Sequence, residues 1–220
     1  MIPAPRAPER VIGIDVGLTT LYTGATSDGT QVLSVANPRH YQSRQARLTR
    51  ARRVASRRRG PRKEVTPSNR WRRANQRVQN VHAEISNARK NLIHETTTML
   101  TKSYDRIVVE DLNVKGMLKN RTLAKHISDA AWGEFVRQLE YKATWYGSTV
   151  VRADRFFSSS KTCSSCGAVK AKLPLEIRTY HCETCGITMD RNHNAAINLA
   201  RWTCQPTSAG TSSVAGRGGR

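Results

Sequence analysis

The sequence predicts an α/β protein with a mixed sheet, flanking helices and an inserted module built on four cysteines. Short apolar runs typical of buried strands alternate with stretches of helical periodicity. Two CxxC pairs, Cys163/Cys166 and Cys182/Cys185, lie 15 residues apart. A length of 220 residues is sufficient for one domain with a hydrophobic core and a small metal-binding module.

The first part of the chain predicts a meander of three strands. Residues 1–10, with three prolines, are expected to form an extended leader. Val11–Asp15 is a short apolar run of the buried-strand type that ends in a carboxylate. Leu21–Ala25 and Gln31–Val35 predict two further strands, which a Ser-Asp-Gly-Thr turn joins.

Two basic helices are predicted next. The arginine-rich segment from Tyr41 to Arg59 is compatible with a helix, and Gly60-Pro61 interrupts it. A second helix from Asn69 to about Leu100 would be roughly 45–50 Å long. Its apolar residues recur at spacings of 3 and 4 and form one stripe: Trp71, Ala74, Val78, Val81, Ile85, Ala88 and Leu92.

The charge of the chain favours nucleic acid as a partner. The formal net charge is +21, and the segment from Arg39 to Arg77 has 15 Lys or Arg against the single acid Glu64. A membrane surface is a poorer fit, because no basic segment carries a clean stripe of large apolar residues. The alternatives are a solvated helix face and a disordered basic tail. The candidate phosphate-binding residues are Arg44, Arg47, Arg50, Arg52, Arg53, Arg57, Arg58, Arg59, Arg70, Arg73, Arg77 and Lys115.

The remaining predicted strands and helices complete an order that is found in a known fold. Arg106–Glu110 predicts a fourth strand, again ending in a carboxylate, and Thr149–Arg152 predicts a fifth. Between them, Ser128 is a candidate N-cap for a helix that Gly147 ends. Asn194–Trp202 predicts a short final helix. The order β-β-β-α-β-α-β-α is that of the ribonuclease H fold.

The four cysteines predict a closed tetrahedral zinc site. Two CxxC turns can each direct two thiolates at one ion, and a glycine after each pair allows a tight turn. The alternative is a pair of disulfides. The sequence shows no secretory signal and no apolar transmembrane run, which predicts a cytoplasmic protein whose thiols stay reduced.

The two strand-terminal carboxylates, Asp15 and Glu110, predict a second metal site. In the expected topology they can lie side by side at one edge of the sheet, where active sites of α/β proteins collect. Magnesium prefers such oxygen ligands, and two ions about 4 Å apart can stabilise both oxygens of a phosphodiester displacement. The alternative is a solvated carboxylate or a hydrogen-bonded turn.

Several motifs follow one another in a distinctive order: Ile14-Asp-Val-Gly17, Val109-Glu-Asp-Leu-Asn-Val-Lys-Gly-Met117, Leu123-Ala-Lys-His-Ile-Ser-Asp-Ala-Ala-Trp-Gly-Glu-Phe135, Ser159-Ser-Lys-Thr-Cys163 and the double CxxC. They resemble the TnpB proteins encoded by transposons of the IS200/IS605 and IS607 groups, which are similar to the ancestors of type V CRISPR nucleases. The similarity runs from about Val11 to Arg201.

The resemblance implies a RuvC-like, RNase H-like nuclease with a zinc ribbon inserted before its last catalytic segment. The implied domains are 11–158 (with basic helices inserted at about 40–101), 159–189 (zinc ribbon) and 190–203 (last RuvC segment and helix), followed by a disordered tail over 204–220. Asp15 and Glu110 match the first two catalytic carboxylates, and Cys163, Cys166, Cys182 and Cys185 match the zinc ligands. The implied cofactors are Zn²⁺ and Mg²⁺, and the implied partners are guide RNA and target DNA at a prokaryotic nucleoid.

Two departures from the family pattern stand out. The last segment in the family usually reads Asp-Arg-Asp-x-Asn-Ala-Ala, and its second aspartate, here Asn192, is the implied third metal ligand. A neutral amide offsets the charge of magnesium less than a carboxylate does, and Asp190 is the alternative third ligand. The second departure is the shortness of the region before the first strand, which indicates a truncated copy, a short functional variant or a product of internal initiation.

Three functions remain open at the level of sequence. The first is a TnpB-type DNA nuclease. The second is a nuclease-dead protein that binds RNA or DNA without cutting, which Asn192 and the short N-terminal region favour. The third is an actin/hexokinase-like phosphotransferase that uses the glycine-containing loop from Gly13 to Thr19. That loop is a weak signal, and neither the charge nor the cysteine module is expected in that class.

Overall fold

The computed structural model describes residues 9–62, 65–174 and 176–202. The leader expected over 1–10 therefore lies mostly outside the described residues, and the tail expected over 204–220 lies entirely outside them. The centre of the fold is a five-stranded sheet with the order β3-β2-β1-β4-β5. Its strands are β1 (Val11–Val16), β2 (Thr20–Thr26), β3 (Gln31–Ala36), β4 (Arg106–Glu110) and β5 (Thr149–Ala153).

The sheet is mixed, as the sequence predicts. β1, β2 and β3 form the expected antiparallel meander. β4 pairs in parallel with β1 on one side and with β5 on the other, and Ile14 is the partner of Val109. The carboxyl ends of β1 and β4 therefore meet at one edge of the sheet, which we call the carboxylate edge.

The basic segment folds as a helical hairpin of α1 (His40–Ser56) and α2 (Asn69–Ser103). Leu48 of α1 packs against Val81 and Ile85 of α2, which form part of the predicted stripe. The N-cap of α2 is Ser68, whose side chain accepts a hydrogen bond from the backbone N–H of Trp71 at 3.2 Å. The hairpin thus buries one narrow apolar seam and leaves most of its arginines outside.

The segment between β4 and β5 forms three helices: α3 (Val114–Met117), α4 (Ala124–Ala130) and α5 (Trp132–Tyr146). The predicted N-cap at Ser128 is wrong, since Ser128 lies inside α4. The break between α4 and α5 falls at Ala131, whose φ of 52° is left-handed. This turn allows Ala130 and Trp132 to enter the same core, where they are 1% and 4% exposed.

The helices cover both faces of the sheet. Helices α2 and α5 pack on the face that presents Ile12 and Ile14 of β1, and the ring of Phe135 stacks on Tyr22 at 4.1 Å between centroids. The last helix, α6 (Arg191–Arg201), packs on the opposite face, where it contacts Ala25. It begins three residues before the predicted start, Asn194.

The contact between α6 and β1 depends on Gly13. A Cβ atom at this residue would lie 2.1 Å from the backbone oxygen of Ala196 and 2.2 Å from the backbone nitrogen of Ala200. Only a glycine permits the backbone of the helix to approach the strand this closely.

The cysteine module lies between β5 and α6. It contains an isolated bridge between Thr162 and Val169 and a small antiparallel pair, β6 (Thr179–His181) and β7 (Thr188–Asp190). Within the described residues, no helix has the length and apolarity required to cross a bilayer.

Candidate active site and metal centre

The carboxylate edge brings Asp15 and Glu110 together. Side chains alternate between the faces of a strand, and Ile12 and Ile14 face α2 and α5. Asp15 therefore shares the other face with Gly13. In β4, Val108 packs with Leu199 of α6, so Glu110 lies on this same face. Because β1 and β4 are parallel neighbours, both carboxyl groups lie at one edge, on the face that α6 covers.

Asp15 is buried, with 8% of its surface exposed. Burial raises the pKa of its carboxyl well above the ordinary value, and the neighbouring charges of Glu110 and Asp190 raise it further, while Arg191 lowers it. Asp15 thus belongs to a cluster of carboxylates in which the charges of Glu110 and the exposed Asp190 act on a buried carboxyl group. Such a cluster is destabilised when it is fully ionised, and a bound cation relieves the repulsion.

Ser159 is a residue of this site that the sequence does not single out as a ligand or catalytic group. Its hydroxyl donates a hydrogen bond to Oε1 of Glu110, and Ser159 is only 2% exposed. Its own backbone oxygen accepts a hydrogen bond of 2.8 Å from Nδ2 of Asn198. The segment that leads into the first cysteine pair therefore fixes the carboxyl group of Glu110 in place.

Asp190 caps helix α6. Its Oδ1 accepts hydrogen bonds from the backbone N–H groups of Asn192 at 2.8 Å and His193 at 3.0 Å. These N–H groups have no partner inside the helix, so an aspartate here stabilises the helix start. An Asp directly before a helical segment is a typical N-cap signal. The sequence-based prediction places the start of this helix at Asn194 and therefore does not use this signal.

Asn192 lies beside the turn that follows β1. A Cβ atom at Gly17 would lie 3.7 Å from Nδ2 of Asn192. Gly17 comes two residues after Asp15, so the amide of Asn192 reaches toward the carboxylate edge. Of the two alternatives for the third position, Asn192 approaches this turn, whereas one oxygen of Asp190 is engaged in the cap.

The four cysteines converge on one point. Their Sγ atoms all lie within 4.8 Å of one another. Sγ of Cys163 lies 3.7 Å from that of Cys185, and Sγ of Cys166 lies 3.6 Å from that of Cys182. Four sulfurs around one zinc at about 2.3 Å would be about 3.8 Å apart, so these separations fit a tetrahedral ion. All four thiols are free, which excludes the disulfide alternative in this structure.

The two CxxC turns have equivalent backbones. Gly167 donates its N–H to the oxygen of Cys163, and Gly186 donates its N–H to that of Cys182, both at 2.9 Å. The two glycines have φ values of 77° and 73°, in the left-handed region that favours glycine. The N–H groups of Cys185 and Thr184 lower the pKa of Cys182, which favours the metal-binding thiolate.

Two buried asparagines join the cysteine module to α6. Asn194 accepts a hydrogen bond from the N–H of Ser164 at 2.9 Å and donates one to the oxygen of Thr162 at 2.7 Å. Asn198 donates to the oxygens of Thr162 at 2.7 Å and Ser159 at 2.8 Å. The first CxxC turn, helix α6 and Ser159 are therefore one hydrogen-bonded unit, which we call the asparagine latch.

The predicted phosphate-binding residues are mostly exposed. Arg44 is half-buried, and the other eleven are exposed. Arg47 forms a two-pronged ion pair with Glu84, at 2.6 and 2.9 Å. All eleven arginines lie in α1, in the segment after it or in the first part of α2, whereas Lys115 lies apart in α3.

Comparison with known proteins assigns the chain to a family. The model of the IS605 OrfB family, described as "Probable transposase", matches residues 2–121, more than half of the chain. The chain belongs to the IS605 OrfB family. A second model, described as the TNB domain of Cas12f1-like proteins, matches residues 132–199, which include the cysteine module and most of α6 of this OrfB-family chain.

Relatives in the curated proteins confirm the resemblance to TnpB. A Streptomyces pristinaespiralis protein named "Putative RNA-guided DNA endonuclease" is 43% identical over 197 residues, which cover 90% of this chain and 46% of the relative. The Escherichia coli K12 protein InsQ, with the same description, is 31% identical, covering 86% of this chain and 48% of the relative. A mimivirus protein named TnpB-like is 28% identical over 145 residues.

Solved structures support the fold. The Cas12f1 chain in a cryo-EM complex with sgRNA and target DNA matches with a TM-score of 0.62 and 17% identity, over 90% of this chain and 51% of that one. At this identity the match shows a shared mixed α/β fold. The chain spans about half the length of the curated relatives it matches.

Proposed function

We propose that this OrfB-family chain carries the RNase H-like, RuvC-type core of an RNA-guided DNA endonuclease and hydrolyses phosphodiesters with magnesium. The observation that carries the proposal is the pairing of Asp15 and Glu110 at the ends of two parallel strands, on the face covered by α6. The names of the relatives, which describe RNA-guided DNA endonucleases, support the substrate and guide.

The donor set at the carboxylate edge fits magnesium. It consists of oxygen donors from Asp15 and Glu110, with the amide of Asn192 nearby. Burial and, after it, the charge of Glu110 raise the pKa of Asp15, and a divalent cation would offset both by stabilising the ionised carboxylate. Bound Mg²⁺ would supply a Lewis acid for the scissile phosphate and lower the pKa of a bound water.

The residues of the chain have separable roles in this proposal. Asp15 and Glu110 hold the metal, and Ser159 fixes the orientation of the Glu110 carboxyl. Asp190 fixes the start of α6 and thereby the place of Asn192. We assign Asp190 to this positioning role, and Asn192 to the third position at the metal.

The cysteine module holds a structural zinc ion in this proposal. The near-tetrahedral spacing of the thiols and the equivalent glycine turns support it. The module corresponds to residues 159–189, between β5 and α6. We expect one zinc per chain by elemental analysis and loss of the zinc in Cys163→Ser, whereas Ser164→Ala, which keeps all four thiols, retains it.

The helical hairpin of α1 and α2 is the proposed contact with guide RNA and target DNA. Its exposed guanidiniums can neutralise phosphates, so that affinity should fall steeply with salt. The described part of the hairpin has few acids, and one of them, Glu84, is already paired with Arg47. Arg47 is therefore less available to bind a phosphate than Arg50 or Arg53.

A second function, binding without cleavage, is favoured by Asn192. The family motif has an aspartate at this position, and the nearby carboxylate of Asp190 is used as a helix cap. A site with only two carboxylate ligands binds magnesium more weakly. Such a chain would occupy RNA or DNA without cutting it.

A comparison of three variants separates the two functions. Labelled single-stranded DNA is incubated with Mg²⁺ and wild type, Glu110→Ala or Asn192→Asp, with Glu95→Ala as a control for removing an exposed carboxyl group on α2. Cleavage by wild type and Glu95→Ala that Glu110→Ala abolishes supports the nuclease. Cleavage that appears only in Asn192→Asp supports the binding protein. Absence of cleavage in every variant, with melting temperatures unchanged, contradicts the nuclease proposal.

A further inference from the structure

Phe156 is exposed to an unusual degree for a large apolar side chain. It is 88% exposed, and its neighbour Phe157 packs against Val108 and Leu199 in the core beneath α6. Single exposed apolar residues are common on protein surfaces. Here, however, the chain places two adjacent rings in opposite environments, and the proposed function makes no use of the outer one.

The loop that carries Phe156 is held in place from both sides. The N–H of Phe156 donates to Oδ1 of Asp154 at 2.7 Å, and the N–H of Phe157 donates to the backbone oxygen of Asp154 at 2.9 Å. Nη2 of Arg155 donates to Asp111 at 2.6 Å. The outward direction of the ring is therefore set by a turn and an ion pair.

The ring lies close to the carboxylate edge. Ala153, three residues before Phe156, is the strand partner of Glu110. Ser159, three residues after it, donates its hydroxyl to Glu110. Three residues span at most about 11 Å, so the Cα of Phe156 lies within that distance of both. A nucleotide next to a phosphate at the carboxylate edge is within reach of the ring.

A shallow groove beside the ring carries two arginines that lie near its rim of acids. It is lined by Asp111, Arg152, Ala153, Asp154, Arg155 and Phe156. The side chains of Arg152 and Arg155 are about half exposed. Asp111 is paired with both arginines, Glu140 accepts from Nε and Nη2 of Arg152, and Asp154 closes the turn, so the three acids are already engaged. Arg155 uses only Nη2 in its pair with Asp111, so its guanidinium retains N–H donors for a phosphate.

We infer that Phe156 and this groove form a site for one nucleotide of single-stranded nucleic acid next to the scissile phosphate. The ring stacks on the base, and Arg155 contacts the adjoining phosphate. A protein partner is a poorer occupant, because one ring between two arginines offers far less apolar area than a stable protein interface needs. The inference rests on the proposed function, since it requires a nucleic-acid substrate.

The test measures the binding of short single-stranded DNA that contains 2-aminopurine at successive positions, with Ca²⁺ in place of Mg²⁺ to prevent cleavage. Wild type is compared with Phe156→Ala, Phe156→Leu and Phe156→Tyr. Stacking on an aromatic ring changes affinity by about 5- to 100-fold. We expect a loss of affinity of this size in the alanine and leucine variants and wild-type affinity in the tyrosine variant. We also expect 2-aminopurine fluorescence to change at one position of the DNA, and only in the proteins that keep an aromatic ring.

Trp145 provides a matched control. It is 70% exposed on α5, which leads into the start of β5, so it lies at the opposite edge of the sheet from the carboxylates. Trp145→Ala should leave binding unchanged. Equal loss in Trp145→Ala and Phe156→Ala overturns the proposed location.

The remaining outcomes are distinct. Wild-type affinity in Phe156→Leu overturns stacking, and wild-type affinity in Phe156→Ala overturns the site while leaving the nuclease proposal intact. No DNA binding by wild type overturns both. Sedimentation that shifts from dimer to monomer in Phe156→Ala identifies the ring as an interface between copies and overturns the nucleotide site. Because Phe156 is exposed, melting temperatures should agree within about 2 °C across all variants.

Discussion

Gly13→Ala is the sharpest test of the fold beneath the carboxylate edge. The added Cβ would lie 2.1 Å from the oxygen of Ala196, and an ordinary contact needs about 3.4 Å, so α6 must move by about 1.3 Å. Such a shift stretches the 2.7 Å hydrogen bonds of the asparagine latch to about 4 Å, beyond hydrogen-bond range. Overpacking costs about 1–3 kcal/mol and each lost hydrogen bond about 1 kcal/mol, giving about 3–5 kcal/mol in total.

The measurement is thermal unfolding by circular dichroism. For a protein of this size the loss lowers Tm by about 6–20 °C. Gly133→Ala is the matched control: Gly133 lies in α5, and a Cβ there meets nothing within 4 Å. That substitution should stabilise the helix by about 0.5–1 kcal/mol. A Tm for Gly13→Ala within about 2 °C of wild type would refute the direct contact between the backbones of α6 and β1.

Three further predictions concern the residues around the carboxylate edge. Because folding raises the pKa of Asp15, wild type loses stability as pH rises above about 4, and the neutral Asp15→Asn escapes this loss. The Tm advantage of Asp15→Asn in magnesium-free buffer should therefore grow between pH 4 and pH 8, and an advantage that shrinks over this range contradicts the assignment. Ser159→Ala should raise the magnesium concentration for half-maximal cleavage by about 10-fold and should retain zinc. The control Ser160→Ala should leave that magnesium concentration unchanged. Asn198→Asp should lower the free energy of unfolding in urea more than Asn198→Ala, because a carboxylate would face two carbonyl oxygens; the reverse order would count against the latch.

The strands were the most predictable elements. β4 has the predicted bounds, Arg106–Glu110, and β1 extends one residue beyond the predicted run. Buried strands are short apolar runs with clear ends, so local sequence suffices to find them. The juxtaposition of Asp15 and Glu110 followed from element order and from the parallel pairing that this order favours.

Helix starts were less predictable. Ser128 resembles an N-cap, yet tertiary packing buries Ile127 and Ala130 and extends helical structure through it. At Asp190 the N-cap signal is present, but the family motif draws attention to its possible role as a ligand. Whether a carboxylate caps a helix or binds a metal depends on where the following backbone N–H groups point. Local sequence does not determine their direction.

The asparagine latch could not be predicted from the sequence. Asn194 and Asn198 bind backbone groups of Ser159, Thr162 and Ser164. Every residue carries a backbone carbonyl, so no pattern of side chains marks these partners. The same holds for Gly13, whose neighbours are backbone atoms of a helix almost a whole chain length away.

Because Gly13 contacts α6, the carboxylate edge can assemble only late in the synthesis of the described residues. β1 leaves the ribosome before α6, because about 180 residues separate Gly13 from the start of α6 at Arg191. At about 5–20 residues per second, about 10–40 s separate them. During that interval the face of β1 that carries Asp15 lacks its cover, and the Glu110 carboxyl lacks the support that reaches it through Ser159. A nascent chain therefore cannot assemble the carboxylate edge until α6 has been synthesised and has packed on β1.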